Sequence, residues 1–198
     1  MNERILPKNF FRDNPFENFS AAQIAHFKMS VSFEAEIDKI MEETVSRGIA
    51  AERCASIAEE KGKIEGFSTA EEVVAFMRTS FDGVNQTQLC RKALTMQETV
   101  IPLMLQRYRT TLQDVFVDTS VMILAHAEKC YVERLMEMYD QIRNPYAKSM
   151  ACLVIGMRKT EGAAPLLLKE YERMKREYPE ESLCQGPLLG LYAMYDKI

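Results

Sequence analysis

The chain has 198 residues, 47% of them hydrophobic and 27% charged, with a formal net charge of −4. That is enough apolar material for a core without disulfide or metal staples, and 8 Gly and 7 Pro are too few for a turn-dense β fold. Residues 1–83 carry 15 acids and 10 bases and residues 84–198 carry 14 and 15, so neither part concentrates the positive charge that nucleic-acid binding requires.

Residues 1–19 place Phe10, Phe11, Phe16 and Phe19 among Asn9, Asn14, Pro15 and Asn18. Pro and Asn oppose a regular helix, while four aromatics are too many for a free tail. The expectation is an extended arm packed on the domain, with a partner-docking or dimer-swapping peptide as the rival reading. Residues 1–7 contain no apolar stretch of the kind that marks a secretory signal. No segment approaches the roughly 20 apolar residues of a membrane span. The expected setting is soluble and cytoplasmic. Ser20-Ala-Ala-Gln23 has capping-box spacing and predicts a helix to about Met29. Phe33, Ile37, Ile40, Met41, Thr44 and Val45 predict a helix over 32–47, stopped at Gly48. Residues 49–61 form another amphipathic stretch, and 62–66, bounded by two glycines, read as a loop. Ser68-Thr-Ala-Glu71 predicts a second capping box with a helix to about Phe81, and Asp82-Gly83 a turn.

Beyond Gly83 the periodicity predicts helices near 86–96, 98–110, 114–127, 130–142, 145–158, 163–177 and 183–196, the last opened by Ser182-Leu-Cys-Gln185. Pro102, Pro165 and Pro187 fall in predicted opening turns, where a missing N–H is tolerated. Connections of two to five residues imply antiparallel neighbours. Nowhere is there convincing strand alternation.

Three predicted helices share a pattern: Pro102-Leu-Met-Leu-Gln-Arg-Tyr108, Glu133-Arg-Leu-Met-Glu-Met-Tyr139 and Pro165-Leu-Leu-Leu-Lys-Glu-Tyr171, with tyrosines 31 and 32 residues apart. A fixed period of this size marks helix pairs that bury their apolar faces against their neighbours. Within it, Asn144-Pro-Tyr-Ala-Lys-Ser-Met-Ala-Cys-Leu-Val-Ile-Gly156 resembles the second helix of a HEAT-type repeat. Pro145, Ala151, Ile155 and Gly156 match that pattern, and Lys148 stands where arginine is usual. The resemblance implies an all-α fold, a right-handed α-α superhelix of HEAT-like helix pairs with an N-terminal helical cap. Residues 1–83 would pack on about three pairs over 84–198. By the same resemblance the helices near 114–127, 145–158 and 183–196 line the concave, ligand-facing side.

The chemistry-bearing residues do not converge in the sequence. His26 and His126 are the only histidines. His126 precedes Cys130 by four residues, but no further ligand of fixed spacing follows, so no metal is expected. The five cysteines, at 54, 90, 130, 152 and 184, contain no C-x-x-C pair and read as reduced, mostly buried thiols. Cys184 is the expected exposed one. No phosphate-binding glycine loop, nucleophile elbow or H-E-x-x-H occurs, and no cofactor is expected.

The candidate partner-binding residues are Arg143, Asn144, Tyr146, Lys148 and Tyr139. The first four join two predicted helices and would present an edge able to hold a carboxylate or phosphate at a helix start. Equally, Asn144 would cap that helix and Arg143 would face the preceding helix's C-terminal dipole. The repeating tyrosines read as inter-repeat packing with hydroxyls at the rim, or as an aromatic row for peptide contact. The expected function is a protein-binding scaffold or adaptor, engaging a protein partner or a second copy, with no nucleic acid, membrane or metal. The alternative is an enzyme on a HEAT-like frame, glycosylase-like or lyase-like, which acidic charge and the lack of a catalytic cluster disfavour.

Overall fold

In the computed structural model, residues 6–19, 51–79 and 83–198 are described. The helices expected over 20–29 and 32–47 and the stop at Gly48 lie outside them. Among the described residues there are nine α-helices and no strand: α1 (Ala51–Gly66), α2 (Ala70–Phe76), α3 (Gly83–Thr95), α4 (Gln97–Tyr108), α5 (Asp114–His126), α6 (Lys129–Glu137), α7 (Pro145–Met157), α8 (Ala164–Glu177) and α9 (Gln185–Met194). Single 3-10 turns, Tyr139–Gln141 and Ser182–Cys184, follow α6 and precede α9.

The local departures from sequence expectation have identifiable causes. Residues 62–66 are the last turns of α1 rather than a loop. Ile64, only 1% exposed, ties them to the core, and Lys63–Glu59 and Lys61–Glu65 pair one turn apart on the outer face. The second capping box sits one residue later than its predicted position. Thr69 Oγ1 accepts from Glu72 N, and Glu72 Oε2 accepts from the amides of Thr69 and Ser68. These bonds hold the Glu72 carboxyl below its ordinary range, the Ser68 amide contributing most. Helix α2 then ends at Phe76 instead of continuing to Phe81. Pro102 lies inside α4, because that helix starts at Gln97. Ser182 belongs to a 3-10 turn and does not cap α9, whose N-cap is Cys184.

The packing has a regular order. Helix α1 packs on α3, α3 on α5, α5 on α7 and α7 on α9, while each sequential pair (α2/α3, α4/α5, α6/α7, α8/α9) is also in contact. Side-chain hydrogen bonds between elements fall repeatedly at nearly one spacing. Gln86 Nε2 bonds Thr119 Oγ1, Gln97 Nε2 bonds Glu128, and Arg109 Nη1 bonds Gln141, over separations of 33, 31 and 32 residues. Ser149 Oγ donates to Leu183 O and Arg158 to the Ala125 and Ala127 carbonyls that end α5, over 34, 33 and 31 residues. One apolar core runs from Ile64, Val73 and Met77 through Tyr108, Leu124 and Leu135 to Leu191. Residues on both sides of Gly83 thus share it.

The tightest contact in this order is α7 against α9. A Cβ on Gly190 would lie 2.6 Å from Cys152 O. One on Gly156 would overlap the Gly190 backbone, and one on Gly186 would overlap Ser149. Hydrogen at these three positions lets the two backbones meet. By contrast, nothing lies within 4 Å of a Cβ built on Gly62 in α1.

The arm is turn-rich rather than extended. Phe10, Arg12, Glu17 and Phe19 amides bond the carbonyls three residues back, and Asn14 Oδ1 accepts from Phe16 N. Its rings pack edge-on to the C-terminal helices. Phe11 and Phe16 lie 4.9 and 5.1 Å from Tyr192, and Phe10 lies 6.0 Å from Tyr171.

Gly156→Ala should therefore lower stability by about 2 kcal/mol or more, through overpacking against backbone that has no rotamer to yield. Gly62→Ala should raise it by roughly 0.5–1 kcal/mol through helix propensity. Denaturant melts of the two variants check the pair; equal effects would contradict this account of the α7/α9 contact.

Candidate functional site

Two features stand out on and beneath the α7/α9 surface. The first is a buried polar chain that begins in the core of α7. Cys152 donates to Tyr139 Oη at 3.3 Å, and Tyr139 donates to Glu170 Oε2 at 2.8 Å. The same oxygen accepts from Arg173 Nε at 3.0 Å and Nη2 at 2.6 Å. Lys148 Nζ sits 5.1 Å from the centre of the Tyr139 ring. Burial pushes the Cys152 thiol up to about 12 and raises Tyr139 far above its usual value, so both stay protonated as donors at neutral pH. Burial also acts to raise Glu170. The bonds from Arg173 and Tyr139 and the charges of Arg173 and Lys148 outweigh it and hold the carboxyl below its ordinary range. This chain binds α7 and α8 to the turn after α6, as a structural joint.

The second feature is a groove of about 510 Å³ between α7 and the start of α9. One face of α7 supplies Tyr146, Ser149, Met150 and Leu153; Leu183, Gly186 and Leu189 form the opposite wall, and Glu181, Ser182 and Gln185 complete the lining. The wall residues of α7 recur at the three- and four-residue spacing that places side chains on one helical face. Ser149 is committed to Leu183 O, so it braces the two walls. A smaller depression of about 360 Å³, lined by Arg78, Arg107, Thr110, Thr111, Leu112, Gln113 and Phe116, opens at the start of α5.

The residues singled out from sequence distribute between these features. Tyr139 is 2% exposed and bonded within the core, so it offers no surface. Its hydroxyl and that of Tyr108, which donates to Ala147 O at 2.9 Å, are buried between helices rather than set at a rim. Asn144 caps α7 by accepting from Tyr146 N and also donates to Thr111 O. Tyr146 lines the groove and donates to Asp118 on α5 at 2.5 Å; burial, followed by that carboxylate, raises its pKa. Arg143 is exposed, and its backbone amide bonds Arg109 O. Lys148 turns toward Tyr139 and Glu170. Among the described cysteines Cys130 is exposed, Cys184 is half-buried, and Cys90 and Cys152 are buried. His126 and Cys130 are both exposed, and no cluster of three metal-ligating side chains occurs among the described residues.

Sequence reasoning missed Glu170, Arg173 and the apolar groove walls. The i, i+3 spacing of Glu170 and Arg173 was readable, but their burial was not. Met150, Leu153 and Leu189 read as core residues, and only the packed structure shows that they border an opening, Met150 partly buried and the two leucines buried. The chain matches no protein-family model, and no curated protein or solved structure matches it.

Glu170→Gln should lower stability by about 2 kcal/mol at pH 7, since it weakens a charge-assisted bond in a buried site. Because the folded carboxyl titrates below its unfolded value of about 4.3, its contribution is full above that pH. It disappears as pH falls through the folded value. The gap in melting temperature between wild type and variant should thus shrink as pH falls below about 4.3; a gap that stays constant down to acid unfolding would refute the assigned charge state.

Proposed function

We propose that the chain is a non-catalytic protein-binding module, a short right-handed stack of HEAT-like helix pairs whose ligand surface is the α5, α7 and α9 row. The observation that carries this reading is the open apolar groove between α7 and α9. The sequence resemblance assigns those helices to the concave side. The successive contacts of α1, α3, α5, α7 and α9 support the stack and extend its periodic packing N-terminal of Gly83. A groove with apolar walls and a few polar groups suits an amphipathic peptide or helix, with alternate side chains seated as anchors.

The groove's composition also favours binding over chemistry. Tyr146 and Glu181 are its titratable lining residues, and Tyr146 is engaged with Asp118. Among the described residues no nucleophile and base converge there, as general acid–base or covalent catalysis would need. Exposed Arg143, three residues before Tyr146, adds positive charge near one end and would favour a partner with acidic flanks.

Met150→Glu places a carboxylate in the groove wall at a partly buried position. It should reduce partner capture on the immobilised chain at least tenfold, with the melting temperature within a few degrees of wild type. Arg143→Glu should weaken capture less and reduce its salt dependence. Capture of the same proteins in equal amount by Met150→Glu and wild type would refute the groove as the binding surface.

A further inference from the structure

Helices α7 and α9 form a single trough of which the groove is only one half. Met150, Leu153 and Leu189 line the open half. The same three residues belong, with Met157, Leu188 and Tyr192, to one hydrophobic cluster that includes Phe16 and Phe19 of the arm. Phe16 is 6% exposed, and Leu153 and Leu189 are 5% and 3% exposed beside it. The arm therefore covers the trough from Leu153 toward Met157 and Tyr192 and stops where the opening toward Tyr146 and Gly186 begins.

The manner of attachment separates a docked peptide from an integral part of the fold. Among the described residues the arm's hydrogen bonds run from one arm residue to another: Pro7 with Phe10, Asn9 with Arg12, Asn14 with Phe16 and Glu17, Phe16 with Phe19. Its hold on the helices comes from apolar side chains: Leu6, 9% exposed, joins the main core, and the rings supply the rest. Tyr192 receives Phe11 and Phe16 edge-to-face, at interplanar angles of 86° and 88°, Phe11 also meets Tyr195 at 5.4 Å, and Lys197 lies 5.7 Å from the Phe11 ring centre. Ring burial of this kind can be supplied by any segment that presents aromatic side chains on a similar turn, whereas shared backbone ladders could not be exchanged so simply.

We propose that residues 6–19 are an internal ligand of the α7/α9 trough, and that the partner competing with them is a protein segment carrying phenylalanine-type anchors on a turn. This rests on the reading of the groove as a binding surface and adds its regulation and its ligand class. Tethering gives the arm an effective concentration of order millimolar, so a free peptide that only copies its contacts loses the competition. A partner wins by filling the open half as well, gaining contacts at Tyr146, Ser149 and Leu183 that the arm does not make. The trough is thereby closed to weak apolar ligands and open to those that span both halves.

The test uses a fluorescein-labelled peptide of the arm sequence, residues 6–19, added to the full chain. Phe11→Ala/Phe16→Ala weakens the internal competitor and should bind the peptide at least tenfold more tightly than wild type, measured by anisotropy. Equal affinity for the two proteins, or no binding to either, would overturn the proposal and show the arm to be a fixed part of the fold. Should the double variant lose helical circular dichroism, Phe19→Trp gives the same answer in a chain whose other rings are intact. The natural sequence has no Trp, so the single indole reports the arm alone. Unlabelled peptide added at several millimolar, above the arm's effective concentration, should shift its emission to the red, and an unmoved spectrum would count against exchange. Failure here is distinguishable from failure of the scaffold reading, because capture of a partner that Met150→Glu abolishes does not depend on whether the arm exchanges.

Discussion

The arrangement of this protein depends on the backbone-to-backbone contact of α7 with α9. A helix pair can cover its apolar face only with the next pair, and how closely the two approach fixes everything on their surface. With Gly156, Gly186 and Gly190 at the crossing, side chains are absent where the axes come nearest and Met150, Leu153 and Leu189 flank the seam. The groove is the space those flanking residues leave toward the N-terminal ends of the two helices. Larger residues at the crossing would separate the helices and reshape both the groove and the seat of Phe16.

Polar groups in this fold serve mainly as joints. Tyr108 reaches a carbonyl of α7, Tyr139 reaches Glu170 on α8, and Tyr146 reaches Asp118 on α5. Asn144 closes the start of α7 while holding the loop after α4. Each joint satisfies a polar group that packing has removed from water, which a buried hydroxyl or carboxylate requires. Such bonds also fix the register of one pair on the next, because a sliding helix would leave them unmade.

Much of the helical layout was legible in the sequence, since long amphipathic segments and their prolines carry a strong local signal. Helices beyond Gly83 begin and end within about three residues of the positions their periodicity suggests, except α6, which stops at Glu137 instead of 142 and gives way to the 3-10 turn Tyr139–Gln141; the tyrosine spacing reappears as hydrogen bonds over 31 to 34 residues. The loop expected at 62–66 failed because two glycines weigh heavily in a local reading, while burial of Ile64 by other helices decides the outcome. The site was less legible. Tyr139 and Tyr108 recur in phase, but whether a phenol points to a rim or into the core depends on the carboxylate or carbonyl a neighbouring pair supplies. Groove walls leave no sequence signature at all: a methionine half covered by the adjacent helix reads the same as one fully covered.

The hydrogen bonds that close turns within the arm bear on how the molecule opens. Amide protons of Phe10, Arg12 and Phe19 are held by isolated turns, while those of α7 and α9 belong to continuous helices locked to one another. If the arm exchanges as proposed, it opens as a unit of its own, at a free energy set by the seating of its apolar side chains and below that of global unfolding, and the face beneath is uncovered more often than the chain unfolds.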